Sequence, residues 1–237
     1  MIPKRIHYVW IGGPLPEAQR AYIDTWRETN PDFEFTLWDE SNIDFSIDML
    51  RHAYSKRKWA KVADIARLVA VLRYGGVYLD TDIRLCKPLD PLLHHKCFFG
   101  FQDEQRSRDW IANGVIGAEQ GHWFISQALS SLLSIKSLPG GIERPTKFGP
   151  KLITRLLLAE GLQAYSPSGV QVKDIFVCPT KYFFPYPYGS EFHSSCITPE
   201  TYGVHFWERS WEKSVPGWIR LAKAVRDRAV HLTNQTA

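Results

Sequence analysis

The sequence predicts an α/β protein built on a single Rossmann-like sheet, and two stretches predict it. Near the N-terminus the β-branched and aromatic run Ile6 to Ile11, the amphipathic stretch Pro16 to Asn30 and the alternating run Phe33 to Leu37 follow one another. That is the strand, helix, strand order of a parallel sheet. Further on, Ala63 to Asp82 (ADIARLVAVLRYGGVYLDTD) passes without spare residues from an apolar helix through a glycine pair into a short strand with an acidic tip. At 237 residues, 44% hydrophobic and 23% charged, the chain has ample material for a core and no bias toward disorder.

Taken in order, Ile6 to Ile11 opens the sheet and ends in the turn Gly12-Gly13-Pro14. Ligands of open α/β sheets collect beyond the carboxyl ends of strands, which places Trp10 where its indole either stacks on a base or belongs to the core. The helix from Pro16 to Asn30 turns Ala21, Ile23 and Trp26 inward and breaks at Pro31. Asp39 to Asn42 is a polar turn, and a helical stretch then ends in the cationic cluster Ser55-Lys56-Arg57-Lys58, read as a solvated face.

The helix Ala63 to Tyr74 carries only Asp64, Arg67 and Arg73 as charges, and Gly75-Gly76 closes it as a C-cap. Val77-Tyr78-Leu79 is a buried strand. If it continues, Asp80 and Asp82 leave it on one face, and two carboxylates on one face suit a hard divalent cation. Asp64 and Arg67, three residues apart on the preceding helix, are either an ordinary intrahelical pair or hydrogen-bond partners presented to a ligand.

After the acidic tip come a turn at Lys87 to Pro91, a strand at Cys97 to Phe101, a charged loop at Asp103 to Asp109 and the small, apolar run Ile111 to Gly117. Within that run Asn113-Gly114 has the composition of a turn. Gly121 to Leu133 and the stretch from Pro150 to Glu160 read as helices. Ser134 to Gly149 has the composition of a mobile loop, and the aromatic tract Lys181 to Ser190 is too irregular for an element and suits a ligand groove. Thr201 to Trp207 is a last strand.

ADIARLVAVLRYGGVYLDTD, with IPKRIHYVWIGG before it and HFWERSW (His205 to Trp211) after it, resembles the signature of the family 32 glycosyltransferases, which share it with the glucosylating domains of large clostridial toxins. The resemblance implies a GT-A fold spanning residues 1–237 as one domain, a nucleotide-sugar-binding half over about 1–120 and an acceptor and metal-completing half over about 121–237. It implies a retaining, divalent-metal-dependent transfer of a hexose or N-acetylhexosamine from a nucleotide-sugar, with UDP favoured, to a surface-glycan or glycolipid acceptor, or alternatively to a protein. On the matching positions it implies catalytic or sugar-binding roles for Asp64, Arg67, Asp80 and Asn113. Nucleotide contacts fall to Trp10, Ile11, Tyr78, Asp80, Ser210 and Trp211. Asp82 and His205 then hold Mn2+ or Mg2+, although a carboxamide stands in the region of His205 in the toxins.

Two other readings compete. A haloacid-dehalogenase-like phosphohydrolase also carries Asp-X-Asp at a strand end, but it needs a late acidic metal motif, and no Asp-Asp pair follows Asp82. A carbohydrate-binding module accounts for 14% aromatic residues but not for Asp64, Arg67, Asp80 and Asp82 together.

The net charge of +4 suits anionic small molecules and is too weak to indicate nucleic acid. Cys86, Cys97, Cys178 and Cys196 lack CxxC spacing, which fits a reducing, cytoplasmic setting. The sequence has no run of membrane-spanning length, and its N-terminus makes a poor signal peptide. Trp218 to Leu232 forms a basic amphipathic pattern that either docks on the domain or lies on the inner face of a membrane.

Overall fold

In a computed structural model that describes residues 1–135 and 149–208, the expected start is present as β1 (Arg5–Val9), α1 (Glu17–Thr29) and β2 (Glu34–Trp38). β1 and β2 run parallel, from Arg5 opposite Glu34 to Val9 opposite Trp38. On α1 the inward residues are Gln19, Ile23 and Trp26, whereas Ala21 is exposed. Positions 19, 23 and 26 share one helical face, and residue 21, two places from Ile23, lies across the helix from them.

α2 (Asp48–Ser55) leads into α3 (Trp59–Tyr74), which starts four residues before Ala63. Its apolar residues are buried on nearly every side. Gly75 and Gly76 then take φ of 64° and 105°. A Cβ at Gly76 would stand 2.6 Å from the Arg5 carbonyl, so glycine here permits both the turn and the close approach to β1.

β3 (Gly76–Leu79) follows and lies between β1, parallel, and β6 (Ile111–Ala118), antiparallel, with Leu79 opposite Val115. The strand stops at Leu79. Asp80-Thr81-Asp82 forms a turn into β4 (Ile83–Leu85), closed by the Ile83 N–H donating to the Asp80 carbonyl at 3.1 Å. The two acids therefore do not leave a continuing strand on one face, and the turn, rather than strand period, sets where they point.

β5 (Cys97–Phe101) runs antiparallel to β6. Asn113 sits within β6 and not in a turn, because the flanking apolar residues pair across the sheet and override the Asn-Gly preference. α4 (Trp123–Leu133), α5 (Gly149–Ala159), β7 (Val170–Val172) and β8 (Ile175–Cys178) follow. The aromatic tract is irregular except at its start, where α6 (Thr180–Phe183) is helical. The last described strand is β9 (Gly203–His205), shorter than Thr201 to Trp207. The sheet order is β2-β1-β3-β6-β5-β8-β7, mixed in direction, with β4 and β9 as a separate antiparallel ribbon.

Helices cover both faces. α3 packs against β1, β3 and β6 with α4 beside it and α5 on β6, and Val9, Ile65, Leu68, Ile116 and Leu152 belong to one apolar core. Tyr8, alternating with Val9 along β1, meets Trp26 of α1 edge to face at 5.6 Å on the other side. Met1–Phe206 form a compact unit. Most of the expected loop from Ser134 to Gly149, together with Ser210, Trp211 and the stretch Trp218 to Leu232, lies outside the described residues. No described helix is long and apolar enough to cross a membrane.

Candidate active site

The topology brings the charged residues to one edge of the sheet. β3 runs toward that edge and ends at Leu79, and β6, antiparallel to it, starts there, so Asp80 lies beside Gly114 and its N–H donates to the Gly114 carbonyl at 2.8 Å. α3 places Arg67 over the same point. The Arg67 Nη1 donates to the Asn113 carbonyl at 2.6 Å and lies 3.2 Å from Asp80 Oδ1, and its Nη2 is 3.5 Å from Asp64 Oδ1. The pair three residues apart on the helix thus exists, but the guanidinium also bridges to the acidic turn. Asn113 closes the frame by donating from its amide to Asp64 Oδ1 at 2.7 Å.

Tyr78 supports this frame from below. Its ring lies 4.5 Å under the Arg67 guanidinium, and its hydroxyl donates to Asp80 Oδ1 at 2.8 Å. Burial pushes the Tyr78 phenol well up, which keeps it a donor. Burial also opposes ionisation of Asp80, yet Arg67, His205 and the Tyr78 hydroxyl outweigh it and hold that carboxyl at about 2. For Asp64 burial wins over Arg67 and Asn113, and its pKa is raised. One guanidinium therefore serves two carboxylates unequally. Beneath Asp64 a cavity of about 10 Å3, lined by Arg67, Asn113 and Gly149 among others, has room for roughly one water or hydroxyl.

The other Asp80 oxygen faces elsewhere. β9 pairs with β4 so that His205 lies opposite Ile83, and this carries its ring to the acidic turn from more than a hundred residues away. His205 Nε2 is 3.3 Å from Asp82 Oδ1 and 3.9 Å from Asp80 Oδ2. Phe184 packs against the imidazole with ring centroids 5.3 Å apart. Burial alone would lower the His205 pKa, but Asp82 and Asp80 overcome it and raise it. One donor atom from each of Asp80, Asp82 and His205 lies within 4.8 Å of the others, so a single cation can reach all three. Two carboxylates and an imidazole make a hard-to-borderline donor set that fits a divalent ion of the Mg or Mn kind.

The third part of this edge lies beyond β1. Trp10 borders a cavity of about 500 Å3, with Tyr8, Arg20, Asp24, Arg27 and Glu40 among its walls. The Trp10 indole donates to the Pro14 carbonyl at 3.2 Å, and Glu40 accepts from the Gly12 N–H at 2.7 Å. Ile11 turns its side chain into the apolar core, so only its main chain is available to a ligand, and the Tyr78 side chain is committed to Arg67 and Asp80. Ser210 and Trp211 are not among the described residues. Sequence reasoning missed Phe184 and Gly114. Neither carries a polar group or a spacing that marks it, and only the fold brings them to His205 and Asp80.

The chain is similar in sequence and fold to known glycosyltransferases. Residues 16–99 match the family model described as the glycosyltransferase sugar-binding region containing a DXD motif. Over 140 residues, 55% of this chain and 37% of the relative, the sequence is 35% identical to inositol phosphoceramide mannosyltransferase 3 of Schizosaccharomyces pombe. Over 220 residues, 89% of this chain and 84% of the relative, it is 26% identical to the uncharacterised glycosyltransferase L373 of Acanthamoeba polyphaga mimivirus. The chain spans only 25% to 43% of the length of the curated relatives it matches first. Among solved structures, the PaToxG glycosyltransferase superposes with a TM-score of 0.56 at 23% identity, over 68% of this chain and 70% of that one. The fold is of the GT-A glycosyltransferase type.

Proposed function

We propose that the chain, whose residues 16–99 match the glycosyltransferase sugar-binding region containing a DXD motif, transfers a hexose from a nucleoside-diphosphate sugar to a hydroxyl of a glycan or glycolipid, with retention of configuration. The observation that carries this reading is the convergence of Asp82, His205 and the Oδ2 of Asp80 beside the frame of Arg67, Asp64 and Asn113. Asp80, Asp82 and His205 would hold a divalent cation, with Mn2+ favoured by the imidazole ligand. Such an ion, when bound, offsets the negative charge of the leaving diphosphate.

The chain's own groups do the rest. Arg67, fixed by the Asn113 carbonyl and the Tyr78 ring, supplies a permanent positive charge at the donor. Asp64 and Asn113 orient a sugar hydroxyl at the small cavity between them and Gly149. Trp10 stacks on the base in the larger cavity beyond β1. Asp64 is engaged by Asn113 and Arg67, which argues against a nucleophilic role and favours substitution from one face of the sugar. In that step the bond from the anomeric carbon to the diphosphate breaks, the bond to the acceptor oxygen forms, and the acceptor proton passes to the diphosphate. The donor-binding half covers about residues 1–120, and the remainder supplies His205 and the acceptor side.

A donor screen tests this. UDP-hexoses and UDP-N-acetylhexosamines are compared with GDP-mannose, which is included because a curated relative is a mannosyltransferase, and donor hydrolysis is followed with and without Mn2+. One donor should be hydrolysed in a Mn2+-dependent manner, with a UDP-sugar expected. Absence of hydrolysis with every donor, in protein shown to be folded, would sink the reading.

A further inference from the structure

Asp80 rests on a residue with no side chain, and the geometry points to Gly114 as a positioning residue for the cation site: the space a side chain would fill is the space taken by Asp80 Oδ2. The inference rests on the reading of Asp80, Asp82 and His205 as the ligands of a divalent ion. A Cβ built on Gly114 would stand 2.6 Å from Asp80 Oδ2, 3.2 Å from Asp80 Cγ and 3.5 Å from His205 Cδ2, and these are its three nearest neighbours. The first distance is too short for any real contact, so one group must yield.

Asp80 has little freedom to yield without leaving the site. Its N–H is bonded to the Gly114 carbonyl at 2.8 Å, and its Oδ1 is held by the Tyr78 hydroxyl at 2.8 Å and lies 3.2 Å from Arg67. Only the Oδ2 side is unanchored by this frame, and that is the side turned toward His205. A methyl at position 114 therefore either rotates the carboxylate away from Asp82 and His205 or pushes the imidazole outward. Both outcomes enlarge a donor set whose three atoms now lie within 4.8 Å of one another.

The backbone does not itself call for glycine. Gly114 lies inside β6 and is not among the residues of positive φ, so alanine fits the strand and restricts the unfolded chain. Were backbone conformation the only constraint, Gly114→Ala would be neutral or slightly stabilised. Gly117, three residues on, is the contrast: its Cβ would stand 2.1 Å from the Phe98 ring in the core, so there an added methyl strikes packing and not ligands.

The test titrates the whole protein with Mn2+, alone and then with UDP present, following the free ion by electron paramagnetic resonance, alongside metal-free melting curves. Gly114→Ala should bind Mn2+ at least about tenfold more weakly, the usual scale for disturbing the surroundings of a metal ligand, with its melting temperature held or raised. Gly117→Ala should lose melting temperature. In an Asp80→Ala background, which removes the carboxylate the methyl meets, adding Gly114→Ala should cause no further loss of Mn2+ affinity. Equal Mn2+ affinity of wild type and Gly114→Ala would overturn this inference alone, whereas wild-type protein that binds no Mn2+ under either condition would overturn the metal reading and this inference with it. If Gly114→Ala melts early, the Asp80→Ala background should restore it. A melting loss that persists there would mean that the strand rejects the methyl, and the inference would fail.

Discussion

His7 and His205 are buried to nearly the same degree, at 0% and 9% exposure, yet their surroundings shift their pKa values in opposite directions. His7 lies in β1 away from any carboxylate in hydrogen-bond reach. Its Nδ1 accepts from the Trp38 indole at 3.2 Å, so its Nε2 carries the proton and donates to the Gly75 carbonyl at 2.9 Å. Burial pushes its pKa down to about 4. His205 loses water to the same extent but faces Asp82 and Asp80, which raise its pKa. Burial sets a similar cost for charging both rings, and the partners decide whether that cost is met. An imidazole with both nitrogens satisfied is a packing device. One aimed at two carboxylates marks a place where a cation can substitute for a proton.

The contrast can be broken most severely at Arg67, on the charged side. Removing it by Arg67→Ala leaves Asp64 and Asp80 buried without their shared partner, a change that costs about 3–5 kcal/mol in comparable cases. Urea unfolding of the metal-free protein measures this, and a loss under about 1 kcal/mol would show that the carboxylates relax into water. Asp82→Asn should act differently. Transfer should fall by a factor on the order of 10²–10³, the scale of losing one charge-stabilising group, while stability changes little because repulsion with Asp80 is relieved. A variant that unfolds while the surviving folded fraction retains activity would make His205 and Asp82 a structural pair like the neutral network around His7.

On the neutral side the effect appears as a pH dependence. The folded pKa of His7 is about 4 and its ordinary value is 6.5, so between these values the unfolded chain binds the extra proton. Stability is therefore lost as pH falls from about 6.5 toward 4, by about 3 kcal/mol in total for this one group. His7→Gln cannot titrate, and its stability measured from pH 7 to pH 4.5 should decline less steeply than that of the wild type by about one proton. Parallel curves would mean that His7 is hydrated. The smallest effect is expected at Trp10. Trp38 gives its indole N–H to His7, whereas the Trp10 ring borders the open cavity, so Trp10→Ala should weaken nucleotide binding by about 1–3 kcal/mol with little loss of stability. Calorimetry with UDP and GDP checks it, and a melting loss with unchanged binding would place Trp10 with Trp38 in the core.

Much of the architecture was legible because it depends on local pattern. The apolar run of α3, the two glycines at positive φ that end it, and the parallel start of β1, α1 and β2 all follow from periodicity and turn chemistry. The acidic tip was legible as composition but not as geometry, since a turn at Asp80 and not a longer β3 directs the two carboxylates. The same limit misread Asn113-Gly114, whose local preference for a turn yields to the pairing of the residues on either side of it with β3 and β5. In each case a short-range preference worth about 1 kcal/mol or less competes with contacts from distant residues.

By itself the sequence determined which residue types were available: two acids after a buried strand, an Asp and an Arg on one helical face, and a histidine near the end of the last strand. What only the tertiary structure decided is which of them meet. His205 reaches Asp82 because β9 pairs with β4, Arg67 serves Asp80 as well as Asp64 because α3 crosses the start of β6, and Asp80 fits because Gly114 leaves it room. The physical reason is range. Helical and strand periods act over a few residues of chain, whereas Coulomb attraction, desolvation and steric exclusion act over a few ångströms of space, whatever the separation along the chain.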